Sequence, residues 1–184
     1  MANLKDLKVR ITSVQSTKKI TSAMKMVAAA KLRRAQESAE AARPFAERME
    51  RMLESVAASL GGVDGAPELL AGNGKDQTHL LVSFTADRGL CGGFNGSIVR
   101  QTRKMAHKLK ADSKPVKILF VGRKAHDVMQ REFANETLDV VIGIGKKGVE
   151  FHEAIGVADR ITAMFDAGEF DVCTIVFNRF KSAM

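Results

Sequence analysis

Leu4-Lys5-Asp6-Leu7-Lys8-Val9-Arg10-Ile11-Thr12-Ser13-Val14 opens the stretch that decides the fold. From Leu4 to Leu60 there is no glycine and one proline, Pro44. Asn3 is a good N-cap, and Asp6 follows it at the capping-box position. The stretch predicts one helix, a rod of roughly 85 Å at 1.5 Å per residue. Pro44 should kink it, or end and restart it. Gly61-Gly62 should stop it.

A seven-residue repeat runs along this helix. Positions Leu4, Leu7, Ile11, Val14, Lys18, Thr21, Lys25, Ala28, Leu32, Ala35, Ala39, Ala42, Ala46, Met49, Leu53, Val56 and Leu60 follow the alternating three- and four-residue steps of a coiled-coil seam. Fourteen of the seventeen are apolar, and the exceptions Lys18, Thr21 and Lys25 are consecutive. Around them Ile20, Met24, Met26 and Val27 carry apolar surface onto other faces. The helix is therefore surrounded by mixed basic and apolar residues at one level. The alanines in the middle of the seam allow close approach of another helix. Burying the nine large apolar side chains of the seam at ~1.5–3 kcal/mol each is the main force available to hold it. Alone, such a helix is marginal in water. No later segment is long enough to pair with it. The expected partner is another chain, a second copy, or a part of the protein beyond these residues.

The charge is concentrated in the same place. The 184 residues carry a net charge of +8, and residues 1–36 hold nine Lys and Arg against Asp6 alone. Residues 37–60 hold three Arg against five Glu, and the remainder is nearly neutral. A basic collar beside a neutral body implies an acidic partner: nucleic acid, anionic lipid or an acidic protein surface. No apolar run approaches the ~20 residues of a membrane helix. Residues 1–10 lack the apolar core of a secretory signal, so the chain is expected to stay in the cytosol. Cys91 and Cys173 have no spacing for a zinc site or a disulfide framework.

Residues 61–77 are rich in glycine and read as a linker. Beyond them strands are expected at 78–84, 116–122, 137–142 and 171–177, alternating with helices at 97–111, 124–133 and 149–165. That alternation predicts an α/β layer with a mostly parallel sheet, its strands buried on both faces. The domain boundaries are therefore 1–60, 61–77 and 78–184. The chain stops seven residues past the last strand, with no cap or closing helix, and is expected to be incomplete at that end.

Two glycine-rich turns follow strands. Gly143-Ile144-Gly145-Lys146-Lys147-Gly148 matches the dinucleotide pattern, but it follows the third strand, and no acidic residue ends the next one. It is expected to be a flexible turn carrying two solvated lysines. Asp87-Arg88-Gly89-Leu90-Cys91-Gly92-Gly93-Phe94-Asn95-Gly96 follows the first strand. It lacks the Gly-Lys-Ser/Thr of a phosphate loop, and Cys91 has no histidine nearby in sequence. It is expected to be a tight, exposed turn that binds something. His79, His107, His126 and His152 show no ligand spacing. No residue set supports catalysis, a metal or a cofactor.

The stretch Ile11-Thr12-Ser13-Val14-Gln15-Ser16-Thr17-Lys18-Lys19-Ile20-Thr21-Ser22-Ala23-Met24-Lys25-Met26-Val27-Ala28-Ala29-Ala30-Lys31-Leu32-Arg33-Arg34-Ala35-Gln36 closely resembles the N-terminal helix of the gamma subunit of F-type ATP synthases. The turn Asp87 to Asn95 is similar to a glycine turn of the same family. The resemblance spans essentially the whole chain and looks bacterial. It implies a long coiled-coil helix followed by a Rossmann-like α/β domain. It also implies a non-catalytic rotor: the helix pairs with a C-terminal helix to form a shaft inside a ring of alpha and beta subunits. The α/β domain would join the epsilon subunit and the membrane rotor ring, at the cytoplasmic face of the inner membrane and without inserting into it. On that resemblance Lys18, Lys19, Ile20, Met24 and Lys25 would lie against an acidic loop of the beta subunit. Arg88, Leu90 and Cys91 would lie near the same loop. The family's C-terminal helix is not in this sequence. The alternatives are a nucleic-acid-binding module and a dinucleotide-dependent enzyme using the 143–148 turn. Against the first, residues 1–44 hold no aromatic side chain for stacking on bases.

Overall fold

The computed structural model describes residues 3–60, 66–146 and 148–181. Gly61-Gly62, Lys147 and the end at Met184 lie outside the described residues. Internal contacts divide the chain into two units, 1–71 and 72–184.

In the first unit α1 spans Leu4–Leu60 as one helix. It starts as the sequence predicts: the Lys5 N–H donates to Asn3 Oδ1 at 3.3 Å, and the Leu7 N–H to the Asn3 carbonyl. It does not end and restart at Pro44, which lies inside it. Proline removes one donor there, but the flanking Ala, Arg, Glu and Met residues are strong helix formers and the ladder resumes. Hydroxyls within the helix are satisfied locally, Thr12 by the Lys8 carbonyl and Thr17 by that of Ser13. None of the side chains of α1 is buried. The expected linker contains one helical turn, α2 (Glu68–Ala71), where Pro67 presets the backbone and its carbonyl takes the N–H groups of Leu70 and Ala71.

The second unit alternates strand and helix: β1 (His79–Phe84), α3 (Phe94–Ala111), β2 (Val116–Val121), α4 (Arg123–Met129), β3 (Thr137–Val141), α5 (Phe151–Asp166) and β4 (Val172–Val176). The four strands form one wholly parallel sheet in the order β3-β2-β1-β4. His79 sits opposite both Val116 and Val172, so β1 is central. On one face Leu81, Ile118 and Phe120 pack with Val99 and Ala106 of α3, Ala125 and Met129 of α4, and Phe133. On the other, Leu80, Val82, Leu119 and Val121 pack with Val157 and Met164 of α5 and with Phe170. The period-2 alternation of each strand sends successive side chains to these two layers. Inside the α3 layer the Thr102 hydroxyl donates to Ser83 at 3.2 Å, so neither buried polar group is left unpaired.

Burial on both faces holds for β1 and β2 but not for the outer strands. In β3, Leu138 is more than one-third exposed, at a register shift that pairs Ile118 with Thr137 and Leu119 with Asp139. In β4, Ile175 is 52% exposed. Edge position, not composition, decides this. The helices also depart from the sequence reading at their ends. α3 begins earlier, after Gly93. α4 ends at Met129, where the chain turns. α5 begins at Phe151 behind a capping box.

Candidate partner-contact site

Three consecutive residues leaving β1 cap a helix that starts 36 residues later. The N–H groups of Arg123, Lys124 and Ala125, in the first turn of α4, have no partners within their own helix. Asp87 Oδ1 accepts from Arg123 at 3.1 Å, the Ala86 carbonyl from Lys124 at 3.1 Å, and Thr85 Oγ1 from Ala125 at 3.0 Å. The Gly122 N–H goes to the Val141 carbonyl at 2.8 Å. Every donor at the start of α4 is filled, and the end of β1 is fastened to it. The other Asp87 oxygen, Oδ2, accepts the Gly143 N–H at 2.7 Å. One carboxylate thus ties together the C-terminal ends of β1, β2 and β3.

From this base the 88–94 turn projects. Asn95, in the first turn of α3, closes it: its Oδ1 accepts the Ala86 N–H at 2.9 Å, and its Nδ2 donates to the Arg88 carbonyl at 3.3 Å and to Cys91 Sγ at 3.1 Å. Arg88, Leu90 and Cys91 are all exposed on this turn. Leu90 stands fully exposed with φ 61°, in the left-handed region. Such a backbone costs a non-glycine residue of order 1 kcal/mol. The turn leaves β1, which neighbours β2 on one side and β4 on the other, where the strand order reverses and open α/β sheets place their binding surfaces. Cys91 Sγ accepts from Asn95 Nδ2 at 3.1 Å and lies 4.0 Å from the Arg88 carbonyl, and neither group is a base.

In the 143–148 turn the Gly143 and Gly145 donors are filled from within the chain. Glu153 Oε1 accepts the Gly145 N–H at 3.0 Å, and Oε2 accepts the Glu150 N–H at 3.1 Å. These amides, the Glu150 one first, hold the Glu153 carboxyl below its ordinary range. The chain's own carboxylates, Glu153 and Asp87, occupy the backbone donors that a pyrophosphate would need. The pattern is a capping box fused to a glycine turn.

The histidines are accounted for one by one. His79 is buried, its Nε2 2.8 Å from Asp76 but without an aligned hydrogen bond, His107 pairs with Glu132, His126 packs edge-on against Phe120, and His152 lies by Glu150. Burial pushes the Cys173 thiol up, away from the reactive form. No group of three metal-ligating side chains occurs among the described residues. No helix among them is long and apolar enough to cross a membrane.

On α1 the sequence-predicted residues Lys18, Lys19, Ile20, Met24 and Lys25 are all exposed, within two turns of helix. The seam residues Leu4, Leu7, Ile11, Val14, Ala28, Leu32, Ala35, Ala39, Ala42, Met49, Leu53 and Val56 are exposed as well, Val14 by 68%. The structure brings Arg88, Leu90 and Cys91 into one turn of the second unit. The α1 group stands in the first. Residue-by-residue sequence reading did not single out Thr85, Asp87 or Asn95 as the residues that mount the turn. The available signal was a carboxylate and an amide flanking three glycines between a strand and a helix.

A 57-residue helix with an exposed apolar seam, followed by a parallel α/β domain, is the arrangement of a stalk-type chain. A family model described as ATP synthase matches residues 3–184. The chain is 61% identical to the ATP synthase gamma chain of Paramagnetospirillum magneticum, over all of this chain and 63% of that one. It is 56% identical to that of Rhodospirillum rubrum, over all of this chain and 62% of that one. Its fold matches a chain in the central stalk and c-ring structure of Tetrahymena thermophila mitochondrial ATP synthase. The TM-score is 0.66 and the identity 30%, covering 89% of this chain and 67% of that chain. The chain belongs to the ATP synthase gamma-chain family. It spans less than two-thirds of the length of these bacterial relatives. None of these matches favours the nucleic-acid reading.

Proposed function

We propose that this chain belongs to a non-catalytic rotor subunit, which couples ion-driven rotation of a membrane ring to ATP chemistry carried out by beta subunits. The observation that carries the reading is the unburied seam of α1. Thirteen of the fourteen apolar heptad positions face water and need another helix to cover them, and a long C-terminal helix of the complete subunit is the partner that the family supplies. Within a ring of alpha and beta subunits, Lys18, Lys19 and Lys25 meet an acidic loop of beta, with Ile20 and Met24 as apolar contacts. Arg88, Leu90 and Cys91 meet the same loop from the glycine turn. Exposed lysine pairs are worth ~0–1 kcal/mol, so they form and release cheaply as three equivalent partners pass. Met24 adds a compliant apolar surface. The α/β domain docks on the epsilon subunit and the membrane rotor ring, at the cytoplasmic face of the inner membrane.

Affinity purification of the full-length subunit from its native membrane tests this. The expected result is co-isolation of an ATP-hydrolysing ring of alpha and beta subunits together with epsilon and the ring-forming membrane subunit. Isolation of the intact subunit without a nucleotide-hydrolysing ring would overturn it.

A further inference from the structure

We propose that Asp87 is a positioning residue for coupling: its carboxylate seats the 88–91 turn so that a push on Arg88 and Leu90 is delivered to the sheet. This rests on the reading that the turn bears on a beta subunit. The geometry is specific. Gly89, Gly92 and Gly93 make the turn flexible by composition, and an added Cβ at Gly92 or Gly93 would meet nothing within 4 Å. At those two positions packing does not hold the turn, which is fastened at its two ends. At the exit Asn95 closes it on itself. At the entry Thr85, Ala86 and Asp87 all bond to α4, and Asp87, the residue next to the turn, reaches the β3–α5 turn as well, with Oδ1 on the Arg123 N–H and Oδ2 on the Gly143 N–H. Bonds from backbone N–H to a carboxylate are about twice as strong as neutral ones. Arg88, the next residue, inherits its placement from this anchor. Leu90, fully exposed and in the left-handed region, is the tip that the anchor presents. Without the carboxylate the turn would hinge at residues 87–88, and a load would bend it rather than move the domain.

The test uses the full-length subunit in a reconstituted complex, with ion transport per ATP hydrolysed as the readout. Asp87→Asn preserves shape and one acceptor oxygen, and keeps the experiment informative if Asp87→Ala fails to assemble. Expected for Asp87→Asn is a loss of about threefold or more in that ratio, together with amide exchange roughly tenfold faster at Gly143 or Arg123. Because Asp87 acts through the turn, adding Asp87→Asn to the Arg88→Ala/Leu90→Ala double variant should make it no worse than that double variant alone. A purely architectural role would instead make the two losses multiply. A ratio unchanged by Asp87→Asn but lowered by Arg88→Ala overturns the proposal and leaves the partner-contact reading standing. If neither Arg88→Ala nor Leu90→Ala lowers the ratio, the partner-contact reading of the turn fails, and the proposal with it.

Discussion

A side-chain carbon placed on Gly122 would lie 1.8 Å from the backbone carbonyl oxygen of Thr85. The strand end that caps α4 passes this close because Gly122 adopts φ 98° and carries no Cβ. Gly122→Ala should therefore break the fastening of β1 to α4, lowering the stability of the α/β domain by ~3 kcal/mol or more. Urea unfolding followed by circular dichroism checks this, and a midpoint equal to wild type would contradict it.

At the opposite end of the sheet, Asp171 Oδ2 accepts the N–H groups of Thr78 and Gln77, and Oδ1 accepts from Asn73. The Thr78 bond contributes most to holding its carboxyl below the usual range. A depressed carboxylate adds stability above its unfolded pKa, near pH 4, and that stability is lost as pH falls through the lower folded value. Asp171→Asn should thus be less stable than wild type at pH 7, with the gap closing below about pH 4. Thermal melts from pH 7 to pH 2.5 measure it. A gap that stays constant with pH would refute the assignment.

Charge reversal on α1 tests the basic collar. Each exposed lysine pair is worth about 1 kcal/mol or less, so single Lys→Ala changes should be nearly silent. Replacing Lys18, Lys19 and Lys25 together with Glu should lower ion transport per ATP hydrolysed in the reconstituted complex, while the α/β domain keeps its melting temperature. Unchanged coupling in the triple variant would remove the collar from the mechanism.

The alanine tract of the seam makes a separate prediction. Ala35→Glu or Ala39→Glu places a carboxylate where a second helix must approach closely, at a cost of several kcal/mol if the charge is buried unpaired. Yield of assembled complex should fall sharply, with no loss of α/β-domain stability. Normal assembly would mean that these alanines face solvent.

Much of the fold was legible in the sequence because its signals are local and repeated. The glycine-free run from Leu4 to Leu60 and the period change after Thr78 give α1 and the alternation of strands and helices directly. Of the two outcomes expected at Pro44, ending and restarting the helix does not occur, since one missing donor does not outweigh helix formers on both sides. Which strands lie at the edges was not legible. Leu138 and Ile175 look like core residues until strand order is known. The site was legible only in part. Its exposed residues sit in a conspicuous glycine turn, but Asp87 finds its partners 36 and 56 residues away, and no local pattern encodes that. Likewise Gly143 to Gly148 satisfies a nucleotide pattern literally, and only the fold shows that Asp87 and Glu153 fill the Gly143 and Gly145 donors.

The borrowed cap of α4 constrains the order in which the chain can fold. A seven-residue helix has no independent stability, and the acceptors for its first turn are held by Thr85, Ala86 and Asp87. α4 can therefore persist only once β1 and β2 lie side by side and bring those acceptors into place. Pulse-labelling during refolding should find the amides of 123–125 protected together with the β1–β2 pairing and not ahead of it.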